Sequence, residues 1–279
     1  MMTYYDNVNS SINYSHVKVE SPGQAEFHLH DRFEIYFFLS GNVNYFIEKK
    51  VYQLHYGDLL LMNSHEIHKP SFSPGATYER IVVHFDAGIP QALSSPSFNL
   101  LNCFTNRPSG ENNLIGLNRK QSEEILLLFG KMESLSCDAS KGSDVLKLAV
   151  FLELLVFINR AFLNTLAHEK EKPIVPEKLV PVLDYIDVNL ENNLSLEILE
   201  HHFFINRFHL SRLFKQVTNN SLHEYILFKR ISRAKKMLSD GFNVTEACTR
   251  SGFNDYSNFL RMFKRTVGMS PGQYRKSCN

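Results

Sequence analysis

Arg212 and Arg261 stand forty-nine positions apart, in stretches that repeat one another. At that offset Leu210 falls on Phe259, Leu213 on Met262, Phe214 on Phe263, Lys215 on Lys264, Ser221 on Ser270 and Tyr225 on Tyr274. The planar fork of a guanidinium can hold O6 and N7 of a guanine with two donors. A lysine one turn further on can meet a phosphate, which positions a protein on DNA without reading sequence. Two copies of such a pair imply a duplicated small module; two are too few for a solenoid.

Each copy needs an element that presents these residues. Leu210, Leu213, Phe214 and Val217 recur at three- and four-residue steps, as do Phe259, Met262, Phe263 and Val267. That spacing predicts one buried stripe on each of two helices. Asn206 and Asp255 stand just ahead of them as N-caps. Shorter amphipathic helices precede both, marked by Leu196 and Leu199 in one copy and by Val244 and Ala247 in the other. A short helix, a tight turn and a second helix with a polar, basic face is a helix-turn-helix unit, whose second helix can enter a major groove. The candidate DNA-contacting residues are Asn206, Arg207, Phe208, Ser211, Arg212 and Lys215 in the first unit. In the second they are Tyr256, Ser257, Asn258, Arg261 and Lys264. An ordinary antiparallel helix pair explains one copy equally well. It does not explain why both polar faces carry arginine at the same place.

The block Gly252–Lys264, followed by Gly268-Met-Ser-Pro-Gly-Gln-Tyr-Arg275, resembles the C-terminal signature of the AraC/XylS transcription regulators. The likeness runs from about 184 to 276. It implies two helix-turn-helix units joined by a long helix, here about Leu222 to Ser239, ~27 Å at ~1.5 Å per residue. That length suits two recognition helices set about one DNA turn, ~34 Å, apart. The first unit departs from the pattern. Glu200 stands where a small residue is usual, Phe204 where the turn glycine is usual, and Asn219 replaces the glycine after the recognition helix. Asparagine tolerates that left-handed cap. Cys248 and Gly252 keep the second unit nearer the pattern.

Upstream, residues 14–86 are aromatic and β-branched runs cut by Gly, Asn and Ser turns, the composition of an antiparallel barrel or jelly roll. His28-Leu-His30, Glu34, Gly41, Gly57-Asp58 and His68 resemble the two cupin motifs, although Asn63 and His65 replace the usual proline and glycine of the second. An N-terminal cupin-like sensor is the usual companion of the AraC/XylS domain, so the two resemblances support each other. As in cupin enzymes, His28, His30, Glu34 and His68 are candidate ligands for a divalent Zn, Fe, Ni or Mn. The preferred expectation is a metal-free pocket with no cofactor, whose polar groups meet an effector. Strand parity places Tyr36 and Phe38 on the Glu34 face, and Arg80, Val82 and His84 on one face of a later strand. The expected pocket is His28, His30, Glu34, Tyr36, His68 and Arg80, suited to a polyhydroxylated ligand. Plain core packing is an equal account of Tyr36 and Phe38.

Residues 87–118 read as loop, rich in Ser, Asn, Pro and Gly. Helices are expected over about Arg119–Ser136 and Ser143–Ala167, the second apolar over much of its circumference. One of its faces can cover the barrel and another can meet a second copy. The expected organisation is a sensor barrel over 1–118, a helical packing or dimerisation segment over 119–167, a linker over 168–176 and a DNA-binding domain over 177–279. The whole is a multi-domain α+β protein: a cupin-like antiparallel barrel plus helices, then an all-α domain.

Residues 177–279 hold 15 Lys and Arg against 10 Asp and Glu, whereas the chain as a whole has a net charge of +1. A basic C-terminal third suits a phosphate backbone. The four cysteines are scattered and form no CxxC, which fits a reducing, cytoplasmic setting. The polar N-terminus is not expected to be a signal peptide, and the greasiest stretch, Val145–Leu163, is interrupted by Lys147, Glu153 and Arg160. The sequence therefore points to a non-enzymatic, sugar-responsive DNA-binding regulator. Expected partners are double-stranded DNA, a small-molecule effector, a second copy of the chain and, for an activator, RNA polymerase; no membrane is expected. Two other readings stand beside it. One is a cupin metalloenzyme with a helical interaction module, which leaves the duplicated basic helices unexplained. The other is a DNA-binding protein whose barrel only dimerises.

Overall fold

The computed structural model describes residues 11–23, 25–73, 75, 77–166 and 175–278. Its N-terminal half is two antiparallel sheets packed face to face. The larger sheet has the order β1-β7-β2-β5-β8: β1 Ile12–Glu20, β7 Thr77–Phe85, β2 Phe33–Ser40, β5 Leu59–Met62 and β8 Leu114–Ile115. The smaller sheet has the order β4-β3-β6: β4 Lys50–Gln53, β3 Val43–Ile47 and β6 His68–Phe72.

Period-two alternation assigns every face. Tyr36, Phe38, Val43, Tyr45, Ile47, Leu60, Met62, Tyr78 and Val82 point inward and fill the lumen between the sheets. Ile35, Phe37, Leu59, Leu61, Ile81 and Val83 point outward from the larger sheet. That outer face is covered by α3 (Arg119–Cys137) and α4 (Ser143–Leu166), through Ile125, Phe129 and Met132 of the first and Phe151, Leu155 and Ile158 of the second. Asn118 and Gln121 form a reciprocal capping box that starts α3. The stretch 87–118 is less irregular than its composition implied. It holds the short helices α1 (Gly88–Leu93) and α2 (Asn102–Thr105) and strand β8. Cys103 and Phe104 are buried there, so tertiary contacts order a segment rich in turn formers.

The linker expected over 168–176 lies almost wholly outside the described residues. Beyond it come α5 (Val180–Val188), α6 (Leu196–Phe203), α7 (Arg207–Thr218), α8 (Leu222–Ser239), α9 (Val244–Arg250), α10 (Tyr256–Val267) and α11 (Pro271–Cys278). The expected long helix is α8, begun by a Ser221–Glu224 capping box. Asn206 and Asp255 accept backbone N–H bonds at the starts of α7 and α10. Asn219 and Gly268 close those helices in the left-handed region, with φ of 57° and 85°.

The helices do not stand apart from the barrel. Phe27, Leu29, Phe46, Val51 and Ile67, on the outside of the smaller sheet and its flanking segment, share one apolar core with Leu183, Phe214, Tyr225 and Ile226. The Phe27 ring lies 6.0 Å from Tyr225 and 5.6 Å from Phe228, and Phe46 lies 6.3 Å from Phe214.

Candidate functional site

Two groups of side chains stand out, one on the helices and one inside the barrel. On α7 the stripe Leu210, Phe214 is buried, so the opposite face is turned outward. Arg212 and Lys215 are exposed, Ser211 is half-buried, and Phe208 is 72% exposed, with the Arg207 guanidinium 5.2 Å over its ring. On α10, Phe259 and Phe263 are buried while Tyr256, Ser257, Arg261 and Lys264 are exposed. Arg261 donates to Asn258 at 3.0 Å, which braces its fork along the helix.

Not every candidate is free. Arg207 is engaged by Glu197 at 2.6 Å and faces Glu200 at 3.9 Å. Its charge is thus largely spent within the first unit. Glu200, the residue that departs from the small-residue pattern, also accepts the Arg207 backbone N–H at 3.2 Å. Asn206 uses its side-chain oxygen as the cap of α7. Phe204 occupies the left-handed turn position with φ of 54° and is 95% exposed.

Inside the barrel, β2 and β7 pair with Glu34 opposite His84 and Phe38 opposite Arg80. His30 enters just ahead of β2 and His68 opens β6. All three imidazoles converge on one carboxylate oxygen. Glu34 Oε2 lies 2.9 Å from His30 Nε2 and 3.2 Å from the Nε2 atoms of both His68 and His84. Burial alone would raise the Glu34 carboxyl, but His68, His30 and His84 outweigh it and hold it well below the ordinary carboxylate range. Burial would lower His68, yet the Glu34 charge wins and raises it. His28 sits on the far side of His68, rings stacked at 5.8 Å. Burial first, and then His68, push its imidazole down to about 4.

The lumen continues from this cluster as a chain of rings. Tyr45 stacks on His68 at 6.2 Å and meets Tyr36 at 4.8 Å. The Tyr36 and Tyr78 hydroxyls lie 2.7 Å apart, and Arg80 lies over the Tyr78 ring at 5.1 Å. His30, Glu34, Tyr36, His68 and Arg80 therefore do lie along one lumen, with His28 at its margin. Sequence reasoning placed His84 on the Arg80 face but did not assign it to the cluster, and it did not single out Tyr45 and Tyr78. The alternation of β7 pointed to His84, whereas its meeting with Glu34 depends on the β2–β7 register.

A cavity of about 430 Å³ opens where the barrel meets the helices. His28, His30, Phe27 and Leu29 line it on the barrel side, and Asn220, Glu224, Phe228, Met262 and Arg265 on the helix side. Met262 and Arg265 belong to α10, so this space touches the inward side of that helix. Around it the domains are tied by polar contacts. Lys229 bonds Glu48 at 2.5 Å, Lys235 meets Asp31 at 2.7 Å, and the Tyr274 hydroxyl donates to Asp31 at 2.9 Å; Lys229 also meets Asp187 at 2.9 Å within the helical domain. Lys69 reaches Asn220, and Asn219 reaches Ser71. Among the described residues no helix is long and apolar enough to cross a membrane.

Comparison with known proteins matches both halves. Residues 19–155 fit the AraC-like ligand binding domain and residues 199–277 fit a helix-turn-helix domain. The HTH-type transcriptional activator AarP of Providencia stuartii is 34% identical over 97 residues, 34% of this chain and 72% of that protein. The uncharacterized HTH-type transcriptional regulator YdeC of Bacillus subtilis is 23% identical over 98% of this chain and 90% of its own length. Among solved structures, fatty-acid-bound ToxT from Vibrio cholerae covers 97% of each chain at 16% identity, with a TM-score of 0.39. The chain therefore belongs to the AraC family of DNA-binding transcriptional regulators, with an AraC-like ligand-binding domain ahead of its helix-turn-helix domain.

Proposed function

We propose that α7 and α10 read two adjacent major-groove segments, and that a small polyhydroxylated effector bound by the barrel sets how well they do so. Arg212, Ser211 and Phe208 lead on α7; Arg261, Asn258, Ser257 and Tyr256 lead on α10; Lys215 and Lys264 meet phosphates. The effector is held by His30, Glu34, Tyr36, His68 and Arg80, with His28 at the entrance. An arginine fork and imidazoles hold sugar hydroxyl pairs well, and aromatic rings cover the sugar's apolar faces. In this reading the protein catalyses no reaction and acts on DNA in the cytoplasm.

One observation carries the reading: the barrel and the helices share a single apolar core. Helix α8, which joins the two units, contributes Tyr225 and Ile226 to it, and the barrel contributes Phe27 and Phe46. A shift of the 26–30 segment is thereby felt by the helix that spaces the two readers. Packed cores switch between discrete arrangements rather than deform smoothly, so a small change at the effector can alter that spacing. The apolar residues left exposed on α3 and α4, Leu127, Val145, Leu146 and Leu163, support a second copy of the chain as a partner. An activating regulator would also meet RNA polymerase.

The test is footprinting of the full chain on its own upstream DNA, with a panel of monosaccharides and sugar phosphates added in turn, alongside thermal melting with the same panel. One compound should raise the melting midpoint and change the footprint together, because a ligand of the native state alone stabilises it. A footprint unaltered by any compound that raises the midpoint would leave a DNA-binding protein whose barrel only dimerises.

A further inference from the structure

We propose that His30, Glu34 and His84, with His68 closing the set, hold a divalent first-row transition metal ion. The site departs both from a metal-free lumen and from the motif spacing, since His84 belongs to it and His28 does not. It stands whether or not a sugar is the effector.

The case begins with hydrogen-bond bookkeeping on two rings. His30 Nδ1 lies 2.8 Å from the Arg32 carbonyl oxygen, while its Nε2 lies 2.9 Å from Glu34 Oε2. His68 Nδ1 lies 2.9 Å from the Glu66 carbonyl oxygen, while its Nε2 lies 3.2 Å from that same Glu34 oxygen. A neutral imidazole has one N–H and one lone pair. Each ring is therefore caught between two acceptors and can satisfy only one. If the Nδ1–H groups donate to the backbone carbonyls, two Nε2 lone pairs face a carboxylate. If the protons move to Nε2, two ring lone pairs face carbonyls. Satisfying both rings with protons would require two imidazolium ions whose centroids are 4.9 Å apart, sharing one carboxylate in a buried site.

A cation among the Nε2 atoms and the carboxylate removes the conflict. Both Nδ1–H groups then donate to carbonyls, the arrangement that fixes the tautomer of metal-bound histidines. The dimensions agree. Ligand atoms of His30, Glu34 and His84 all lie within 4.8 Å of one another, and His68 Nε2, which falls outside that group, reaches it through Glu34 Oε2 at 3.2 Å. A tetrahedral ion with bonds of ~2.0–2.1 Å keeps its ligands ~3.3 Å apart, close to the 2.9–3.2 Å between Glu34 and the rings. Three imidazoles and one carboxylate suit Zn, Ni, Fe or Mn rather than Ca or Mg. The surroundings hold the ligands in place. Glu66, whose carbonyl orients His68, is gripped by Arg107 at 2.7 and 2.8 Å and by the Gly110 N–H at 2.7 Å. His30 and His84 remain part-exposed, which leaves a way in.

The experiment uses the full-length chain stripped with chelator and titrated with Co²⁺, then Zn²⁺. We expect one Co²⁺ per chain by equilibrium dialysis, visible d–d bands characteristic of the nitrogen–oxygen set, and displacement by Zn²⁺. His84→Ala and His30→Ala should each weaken binding at least about a hundredfold, the upper end of what loss of even an outer-shell partner costs. His28→Ala should retain wild-type affinity. Glu34→Gln keeps the side chain's shape and guards against simple misfolding: it should keep its circular dichroism yet lose the Co²⁺ bands. No ion retained at micromolar Co²⁺ would overturn the proposal. So would retention that His84→Ala, His30→Ala and Glu34→Gln all leave intact, or loss in His28→Ala equal to that in His84→Ala.

Discussion

The Lys229 ammonium on α8 lies 2.5 Å from the Glu48 carboxylate of the barrel, and both side chains are nearly excluded from water. Burial would lower the lysine, but Glu48 and Asp187 outweigh it and keep it charged. Removing one partner of such a pair leaves the other charge buried alone, a cost of about 3–5 kcal/mol. Lys229→Met should therefore destabilise the full chain by roughly that amount in urea melts, and Glu48→Gln with Lys229→Met should recover most of it. A double variant as unstable as the sum of the singles would mean that the two charges do not interact.

The two helix-turn-helix turns should respond oppositely to backbone changes. Gly252 has a φ of 91°, and a Cβ there would collide with the Leu190 carbonyl. Gly252→Ala should cost about 3 kcal/mol, from left-handed strain plus the clash. Phe204 holds the equivalent turn at φ of 54° with its ring 95% exposed. Phe204→Gly should gain up to about 1 kcal/mol by relieving that strain. Thermal melts of the two variants read both signs.

Arg261 and Lys264 should separate sequence choice from plain affinity. Arg261→Ala should lower the preference for the specific site by about 1–3 kcal/mol, the worth of a bidentate guanine contact. Lys264→Ala should weaken specific and random DNA alike and reduce the salt slope by about one. Equal losses on both DNAs for both variants would reverse the assignment of α10's reading face.

Arg80 offers a test of the effector pocket that spares the DNA face. Loss of one buried hydrogen-bond partner costs about 1–3 kcal/mol, or roughly 5- to 150-fold in affinity. Arg80→Ala should abolish the response to the compound that alters the wild-type footprint, while the footprint without compound is unchanged. An intact response would move the effector out of the lumen, towards the cavity beside His28 and His30.

What local chemistry specifies was legible in the sequence. Apolar residues at three- and four-residue steps located α7 and α10, and Asn206 and Asp255 located their starts to within a residue. Alternation along β2 put Tyr36 and Phe38 on the Glu34 face, and alternation along β7 put Arg80, Val82 and His84 on one face. The likeness of the repeated block to the AraC/XylS signature pointed to DNA. Tertiary structure decided what depends on partners distant in the chain. His84 meets Glu34 only because β2 and β7 pair in that register, and a slip of one residue would turn it away. Lys229 and Lys235 count towards a basic DNA-binding domain in the sequence, yet they are spent on Glu48, Asp187 and Asp31. Arg207 likewise serves Glu197 and not a phosphate. A charged residue carries no mark of its partner, since that depends on how two separately patterned units dock; the periodicity of α8 says which face is apolar but not that a barrel covers it.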